Sequence, residues 1–436
     1  MGQEPHAEVF RYDGWSIDGN RVTGHYRLGQ YHFAETWEFE SGDFAAETTH
    51  HAVRYLYLLA GVSYYKTHAP LTIDLGETEL LPLDRELLLA YYHHGLGEFR
   101  VRNHLDLSGL RLIGGLDRAA APAATTAMGQ RPLVCFGGGM DSLVSTELLR
   151  PTADVTLFVV SKAADRFQAI EGSLERSGLP VARATRILDG QVLRSAELGF
   201  HNGHVPVTGI VSALALVTAC LGGHDAVVMS NERSSSAPTQ GEVNHQWSKS
   251  WAFEKLLAEA LAQVPGMPQY FSLLRPWSEL WIARQFVELC QEYFTSFCSC
   301  NRAFLTDPAR RSVGWCSQCD KCAFLDLILA PYLSPEQLAE VFTRGEPLRN
   351  ADLLSQFKGL VTSGHKPWEC VGDEAESRNA VRLAAARPDR QGPSDRPLAE
   401  LHHSIDGLAA PPADELLRPQ PPHSIPERYA SAARLH

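Results

Sequence analysis

From Arg131 onward, short apolar runs alternate with stretches of helical spacing, and this alternation constrains the fold more than any other feature of the 436 residues. The runs are Leu133 to Phe136, Val155 to Val160, Ala182 to Leu188, Ala226 to Ser230 and Tyr270 to Leu274. Strands separated by helices pair in parallel, so the pattern predicts an α/β fold, a doubly wound parallel sheet with helices on both faces. Ligands of such sheets sit at the carboxyl ends of the strands, near the point where strand order reverses.

The first of these runs leads into Gly137-Gly138-Gly139-Met140-Asp141-Ser142, which is followed by a helical stretch from Leu143 to Leu149. Glycines allow positive φ and close backbone approach to a ligand, and Asp141 or Ser142 is expected to cap the new helix. Free amides and the positive end of the helix dipole favour a phosphate. Neither a Gly-Lys-Ser/Thr loop nor G-x-G-x-x-G is present. The run resembles the pyrophosphate loop of the PP-loop ATP pyrophosphatases, S-G-G-x-D-S. Gly137 replaces the family's serine, which removes one hydroxyl donor.

Four segments are expected. Residues 1–125 read as an amino-terminal α+β domain, because aromatic and polar residues alternate from about residue 8 to 40 around Asp13-Gly14 and Asp18-Gly19 turns. Helices are predicted near Thr48 to Ala60 and Asp84 to His94, with a strand from Leu71 to Leu75 and a small-residue linker from Ala119 to Gly129. Residues 126–296 are the α/β ATP-binding domain, and 297–386 a cysteine-rich segment with helices. Nine of the 26 prolines fall from Pro388 onward, so residues 387–436 read as a mostly disordered tail.

The net charge of −12 argues against broad nucleic-acid or anionic-membrane binding, which needs clustered cations. Val205 to Gly223 is apolar, but its Pro206, Thr208, Ser212 and glycines fit a buried helix better than a membrane span. The amino-terminal residues lack the basic and apolar regions of a secretory signal, so the cytoplasm is the expected location.

Cys300, Cys316, Cys319 and Cys322 are spaced C-x15-C-x2-C-x2-C. Soft thiolates in this spacing suit a closed tetrahedral Zn²⁺ site, which is structural, and Cys298 competes as a ligand. The segment resembles the zinc-bearing part of 7-cyano-7-deazaguanine synthases, in which a Ser-Cys pair, here Ser299-Cys300, precedes three close cysteines.

Further blocks point to another branch. They are Ser230-Asn231-Glu232-Arg233-Ser234, Val243-Asn244-His245-Gln246-Trp247-Ser248-Lys249-Ser250, Phe271 to Pro276 with Ser278-Glu279-Leu280, Ser299-Cys300-Asn301-Arg302, Lys366-Pro367-Trp368-Glu369-Cys370-Val371-Gly372 and Gly61 to Lys66. Together these resemble the UDP-N-acetylmuramoyl-L-alanyl-L-glutamate epimerases of peptidoglycan synthesis, over roughly residues 8 to 380. The resemblance implies ATP-dependent inversion of the terminal L-glutamate of a UDP-linked muramoyl dipeptide, with AMP and diphosphate released. A proton α to a carboxylate is hardly acidic, and adenylation removes the neighbouring charge so that a general base suffices. The resemblance also implies that the glycine loop (Gly137, Gly138, Gly139, Asp141, Ser142) holds ATP and that Asp141 ligates Mg²⁺.

Inversion needs groups on both sides of Cα or one mobile group. The candidates are His245, Lys249, Glu232 and Glu279 beside strand ends, and the thiols of Cys298 and Cys370, with Lys366 placed to lower the Cys370 pKa. Each has a packing alternative: Glu279 as a helix-start carboxylate, His245 as a satisfied polar group, Cys370 as a small hydrophobe. Arg233, Arg275 and Arg302 suit substrate carboxylates or phosphates, and Tyr64, Tyr65 and Lys66 the UDP-sugar, against surface ion pairs and tyrosine packing. Rival readings are a nitrile- or amide-forming adenylating enzyme, an RNA-modifying PP-loop protein and a degenerate nucleotide-binding scaffold.

Overall fold

The aromatic alternation of the amino-terminal segment folds as an antiparallel meander of β1 (Val9–Asp18), β2 (Arg21–Leu28) and β3 (Tyr31–Phe39). The structure is a computed structural model that describes residues 9–40, 42–120, 129–162, 165–305, 307–362 and 366–435. Helices Glu47–Ala60 and Asp84–Gly95 follow, with short strands β4 (Thr72–Asp74), β5 (Glu79–Leu80), β6 (Arg111–Ile113) and β7 (Leu116–Asp117) around the second. Most of the expected linker, residues 121–128, lies outside the described residues.

The five apolar runs become β8 (Pro132–Cys135), β9 (Thr156–Lys162), β10 (Val181–Ile187), β11 (Ala226–Met229) and β12 (Gln269–Ser272). All pair in parallel, in the order β12-β11-β8-β9-β10. Strand order reverses at β8, and the glycine loop follows that strand directly.

The meander does not form a sheet of its own. β3 pairs antiparallel with β10, Phe39 opposite Ala184 and Thr36 opposite Ile187, so ten strands run β12-β11-β8-β9-β10-β3-β2-β1-β4-β6 as one mixed, mostly parallel sheet. β5 and β7 form a separate two-stranded ribbon. Alternate strand residues point to opposite faces. Val134, Leu157, Val228 and Phe271 join one core with helices Met140–Leu149, Glu279–Leu289 and Asp320–Leu329, while Leu133, Phe158, Val227 and Tyr270 join a second with the meander and helices Glu47–Ala60 and Val207–Gly222. The cores thus follow the faces of the sheet and not the four chain segments. Helix Val207–Gly222 is buried against the sheet, and among the described residues no helix is long and apolar enough to cross a membrane.

The proline-rich tail corrects an expectation, because residues 387–435 are folded. Leu398, Leu401, Ile405, Leu416 and Tyr429 enter the first core. Trp277 Nε1 donates to Ala433 O at 2.8 Å, Ser278 Oγ to Leu416 O at 2.7 Å, and Arg428 pairs with Asp225 at 2.8 Å. Proline restricts the unfolded chain as well as interrupting helices, and here it separates short apolar pieces that each bury a few side chains.

Candidate active site

The loop after β8 is held by its glycines for two reasons. Gly138 has φ +73°, and a Cβ there would lie 3.2 Å from Ile170 Cα and 3.3 Å from Ala169 O. Gly139 is fitted against Ser299, whose Cβ would be 3.1 Å away. Gly137 is exposed with nothing within 4 Å of a Cβ, so packing does not exclude the serine of the PP-loop pattern. The expected side-chain cap is not made: helix Met140–Leu149 starts without one, and Ser142 Oγ donates back to Gly139 O at 3.0 Å. The first-turn amides are therefore left without a side-chain acceptor, the condition under which a helix start binds an anion.

Three carboxylates from three strand ends meet beside this loop. Asp141 follows β8, Glu232 follows β11, and Glu279 opens the helix after β12. Burial and the charge of Glu232 push Asp141 up to about 6, against the pull of Lys321 and Lys249. Burial, then Asp141 and Glu232, hold Glu279 well above the usual carboxylate range. Their charges act on one another, but their oxygens do not form one of the close ligand groups found among the described residues.

Cys370 joins the same charge cluster. Lys249 Nζ lies 3.4 Å from its sulfur, and Lys321 Nζ donates to its carbonyl at 2.7 Å. His245, also near this thiol, shares a 2.6 Å hydrogen bond between its Nδ1 and Glu98 Oε2. Burial raises the thiol, but Lys249, His245 and Lys321 outweigh it and bring the pKa down to about 6. Burial likewise opposes charge on His245, but the bonds to Cys370 and Glu98 prevail and raise it to about 9. Lys249 is held above its ordinary value, because the charges of Cys370, Glu232 and Asp141 outweigh burial. The result is a thiol drawn toward its anion beside an imidazole that a carboxylate holds at 2.6 Å. The cations at the thiol are these three and not Lys366, whose charged neighbours are Asp373, Glu232 and Glu279.

Glu98 and Lys321 were invisible to sequence reasoning. Glu98 sits in helix Gly97–Arg102 of the amino-terminal region, 147 residues from its histidine, and Lys321 is masked by the cysteines around it. His204 is a further neighbour, its Nδ1 4.0 Å from Glu98, with a pKa lowered to about 4 by burial and by His245.

Other expected site residues serve the fold. Cys298 is 2% exposed, its amide donates to Gly138 O at 3.0 Å, and burial pushes its thiol up to about 12. Arg275, also 2% exposed, corrects the expectation of a substrate contact. Its guanidinium pairs with Glu254 at 2.9 Å and donates to the carbonyls of Glu232 and Lys249, bracing the two loops that carry those side chains. Tyr64 and Tyr65 are fully buried, Tyr64 stacked on Tyr26 at 5.1 Å and Tyr65 edge-on to Tyr92 at 4.9 Å. Lys66 is spent on Asn202 and Gly203 O, each at 3.2 Å. Arg302 is exposed and bonds Gln318 at 3.2 Å. Arg233 remains suited to an anion: one guanidinium nitrogen is buried without a hydrogen-bond partner, and the other lies 3.9 Å from Glu376.

The sulfurs of Cys300, Cys316, Cys319 and Cys322 lie within 4.8 Å of one another, without Cys298. Their contacts of 3.9, 3.7 and 3.5 Å match the roughly 3.8 Å edge of a tetrahedron with 2.3 Å Zn–S bonds. The residues present therefore fit Zn²⁺. The quartet borders the site: Ser299 packs on Gly139, Asn301 Nδ2 donates to Glu369 at 2.6 Å, and Lys321 lies between two of its cysteines.

A doubly wound sheet with an uncapped glycine loop at its switch point, and with Cys370 and His245 in the same charge cluster, has the form of a site suited to an anionic ligand. The chain belongs to the MurL family: the MurL N-terminal domain matches residues 1–273 and the MurL C-terminal domain residues 296–414. It is 40% identical to a protein of Xanthomonas oryzae pv. oryzae over 80% of this chain and 78% of that one. It is 38% identical to one of a Micromonospora species over 89% and 87%, and 39% identical to one of Salinispora tropica over 86% and 82%. All three relatives are named UDP-N-acetyl-alpha-D-muramoyl-L-alanyl-L-glutamate epimerase. No solved structure gives a significant match.

Proposed function

We propose that this protein inverts the terminal L-glutamate of UDP-N-acetylmuramoyl-L-alanyl-L-glutamate, using ATP to adenylate the carboxylate and releasing AMP and diphosphate, as a cytoplasmic step of peptidoglycan precursor synthesis. The names of its relatives support the substrate. The observation that carries the chemistry is that the uncapped Gly137–Gly139 loop and the Cys370, His245 and Lys249 cluster share one charge cluster, in which Lys249 acts on both Asp141 and Cys370.

The loop amides grip the diphosphate of ATP in the manner of a PP-loop, and Asp141 would hold Mg²⁺, which would supply charge neutralisation when bound. Arg233 binds a substrate anion through its unpartnered nitrogen. Adenylation removes the carboxylate charge, after which the Cα proton passes to the Cys370–His245 pair, with Lys249 facing the negative charge that develops. The cysteine quartet holds structural Zn²⁺ and stiffens the wall of the loop through Ser299. Nine free cysteines support a reducing compartment.

The test is incubation with ATP, Mg²⁺ and the UDP-linked L-Ala-L-Glu substrate in D₂O. The expected products are D-glutamate labelled at Cα, AMP and diphosphate. Glutamate that stays wholly L and unlabelled overturns the proposal, and consumption of ammonia instead assigns the amide- or nitrile-forming chemistry.

A further inference from the structure

We infer that Cys370 is a covalent nucleophile, whose sulfur takes the glutamyl group from the adenylate as a thioester before the Cα proton moves. This rests on the adenylating reading above and specifies what the thiol does within it.

The geometry is that of an activated nucleophile with its base and orienting group. Glu98 holds Nδ1 of His245 at 2.6 Å, Lys249 Nζ lies 3.4 Å from the Cys370 sulfur, and the same imidazole helps to draw the pKa of that thiol down. A thiol drawn toward its anion by a lysine and by an imidazole that a carboxylate holds in place is ready to attack an acyl group without a separate base to deprotonate it. Glu98 also comes from the amino-terminal region, while Cys370 and His245 come from two other stretches of chain. Three distant segments converge on one sulfur. Lys249, 3.4 Å from that sulfur, is also among the charges acting on Asp141 beside the glycine loop, so the thiol shares its cation with the place where the adenylate forms.

The chemistry gains in two ways. A thioester carbonyl is less stabilised by resonance than an oxygen ester, so the α-proton stays acidic after AMP has left. The tether also keeps the activated acyl group from diffusing away while the proton moves.

Atoms and electrons balance over four steps. The Cys370 sulfur pair forms a C–S bond to the glutamyl carboxyl carbon, the carbon–oxygen bond to phosphate breaks, and AMP departs with that electron pair and the His245 proton. Neutral His245 takes the Cα proton, and the pair left behind delocalises onto the thioester oxygen, faced by Lys249. Water protonates Cα from the opposite side and becomes hydroxide. That hydroxide adds to the carbonyl, the C–S bond breaks, and thiolate and imidazolium are restored as the product acid ionises.

The test uses the full chain with ATP, Mg²⁺ and the UDP-linked L-Ala-L-Glu substrate, quenched in acid. Wild-type protein, and more strongly His245→Gln, should carry an adduct of substrate acyl mass on the Cys370 peptide, removed by neutral hydroxylamine. Cys370→Ala should keep substrate-dependent exchange between ATP and diphosphate, while solvent exchange at Cα falls about a thousandfold. Cα exchange within tenfold of wild type in Cys370→Ala overturns the thioester. So does the absence of an adduct from both wild type and His245→Gln while exchange at Cα proceeds, which would leave Cys370 as a base only. Absence of ATP–diphosphate exchange in the wild type strikes instead at the adenylating reading itself, and the thioester falls with it.

Discussion

Two sets of cysteines lie near one another and are treated in opposite ways by their neighbours. In the quartet, four sulfurs face each other within 4.8 Å, a geometry that fits a shared cation. Among the described residues Cys370 faces no other sulfur, and its neighbours Lys249, His245 and Lys321 bring its pKa down to about 6. The difference teaches that a cysteine's role here is set by the charge of its surroundings. Sulfur around sulfur suits a metal ion, and cations around sulfur lower a thiol pKa.

The largest effect expected of that contrast is on stability. Cys322→Ser should abolish binding of one Zn²⁺ per chain and cost several kcal/mol in denaturant unfolding, whereas Cys370→Ser should leave metal content unchanged and stability within about 1 kcal/mol. Equal losses in the two variants would erase the distinction. Next comes Glu98→Gln, which leaves the fold intact but removes the orienting charge; turnover should drop roughly a hundredfold with little change in KM.

Thiol reactivity sharpens the contrast at the level of protons. A thiol whose pKa is lowered to about 6 is ionised above that pH and loses its charge below it, so iodoacetamide should modify Cys370 with a midpoint near pH 6. Cys298, raised to about 12, should stay unmodified across the neutral range. Lys249→Met should move the Cys370 midpoint upward by roughly a unit or more. A midpoint already at the ordinary thiol value would show that the cations do not act on this sulfur. The smallest effect belongs to the loop that both sets border. Gly137→Ser fits open space and should change stability by less than about 0.5 kcal/mol, with ATP affinity equal or tighter as read by calorimetry.

Much of this was legible in the chain. The five apolar runs appear as parallel strands to within two residues, and helix Val207–Gly222 lies where its apolar stretch predicts, because buried strands and helices leave local patterns. The cysteine spacing likewise marked four of the nine cysteines, and the structure clusters those four. Arg275, Tyr64 and Tyr65 were misread as substrate contacts, since a polar side chain in a suggestive block looks the same whether it faces ligand or core. The tail was misread because its proline content says nothing of what Leu398, Leu401 and Tyr429 meet.

By itself the sequence determined what depends on neighbours along the chain: the glycine turn after a strand, the run of parallel elements and the spacing of four soft ligands. Tertiary structure alone decided that β3 would close against β10, that Glu98 would reach His245 across 147 residues, and that Lys249 and Lys321 would flank Cys370. Local propensity acts over a few residues of chain, whereas electrostatics acts over a few ångströms of space, and only folding brings those distant charges within range.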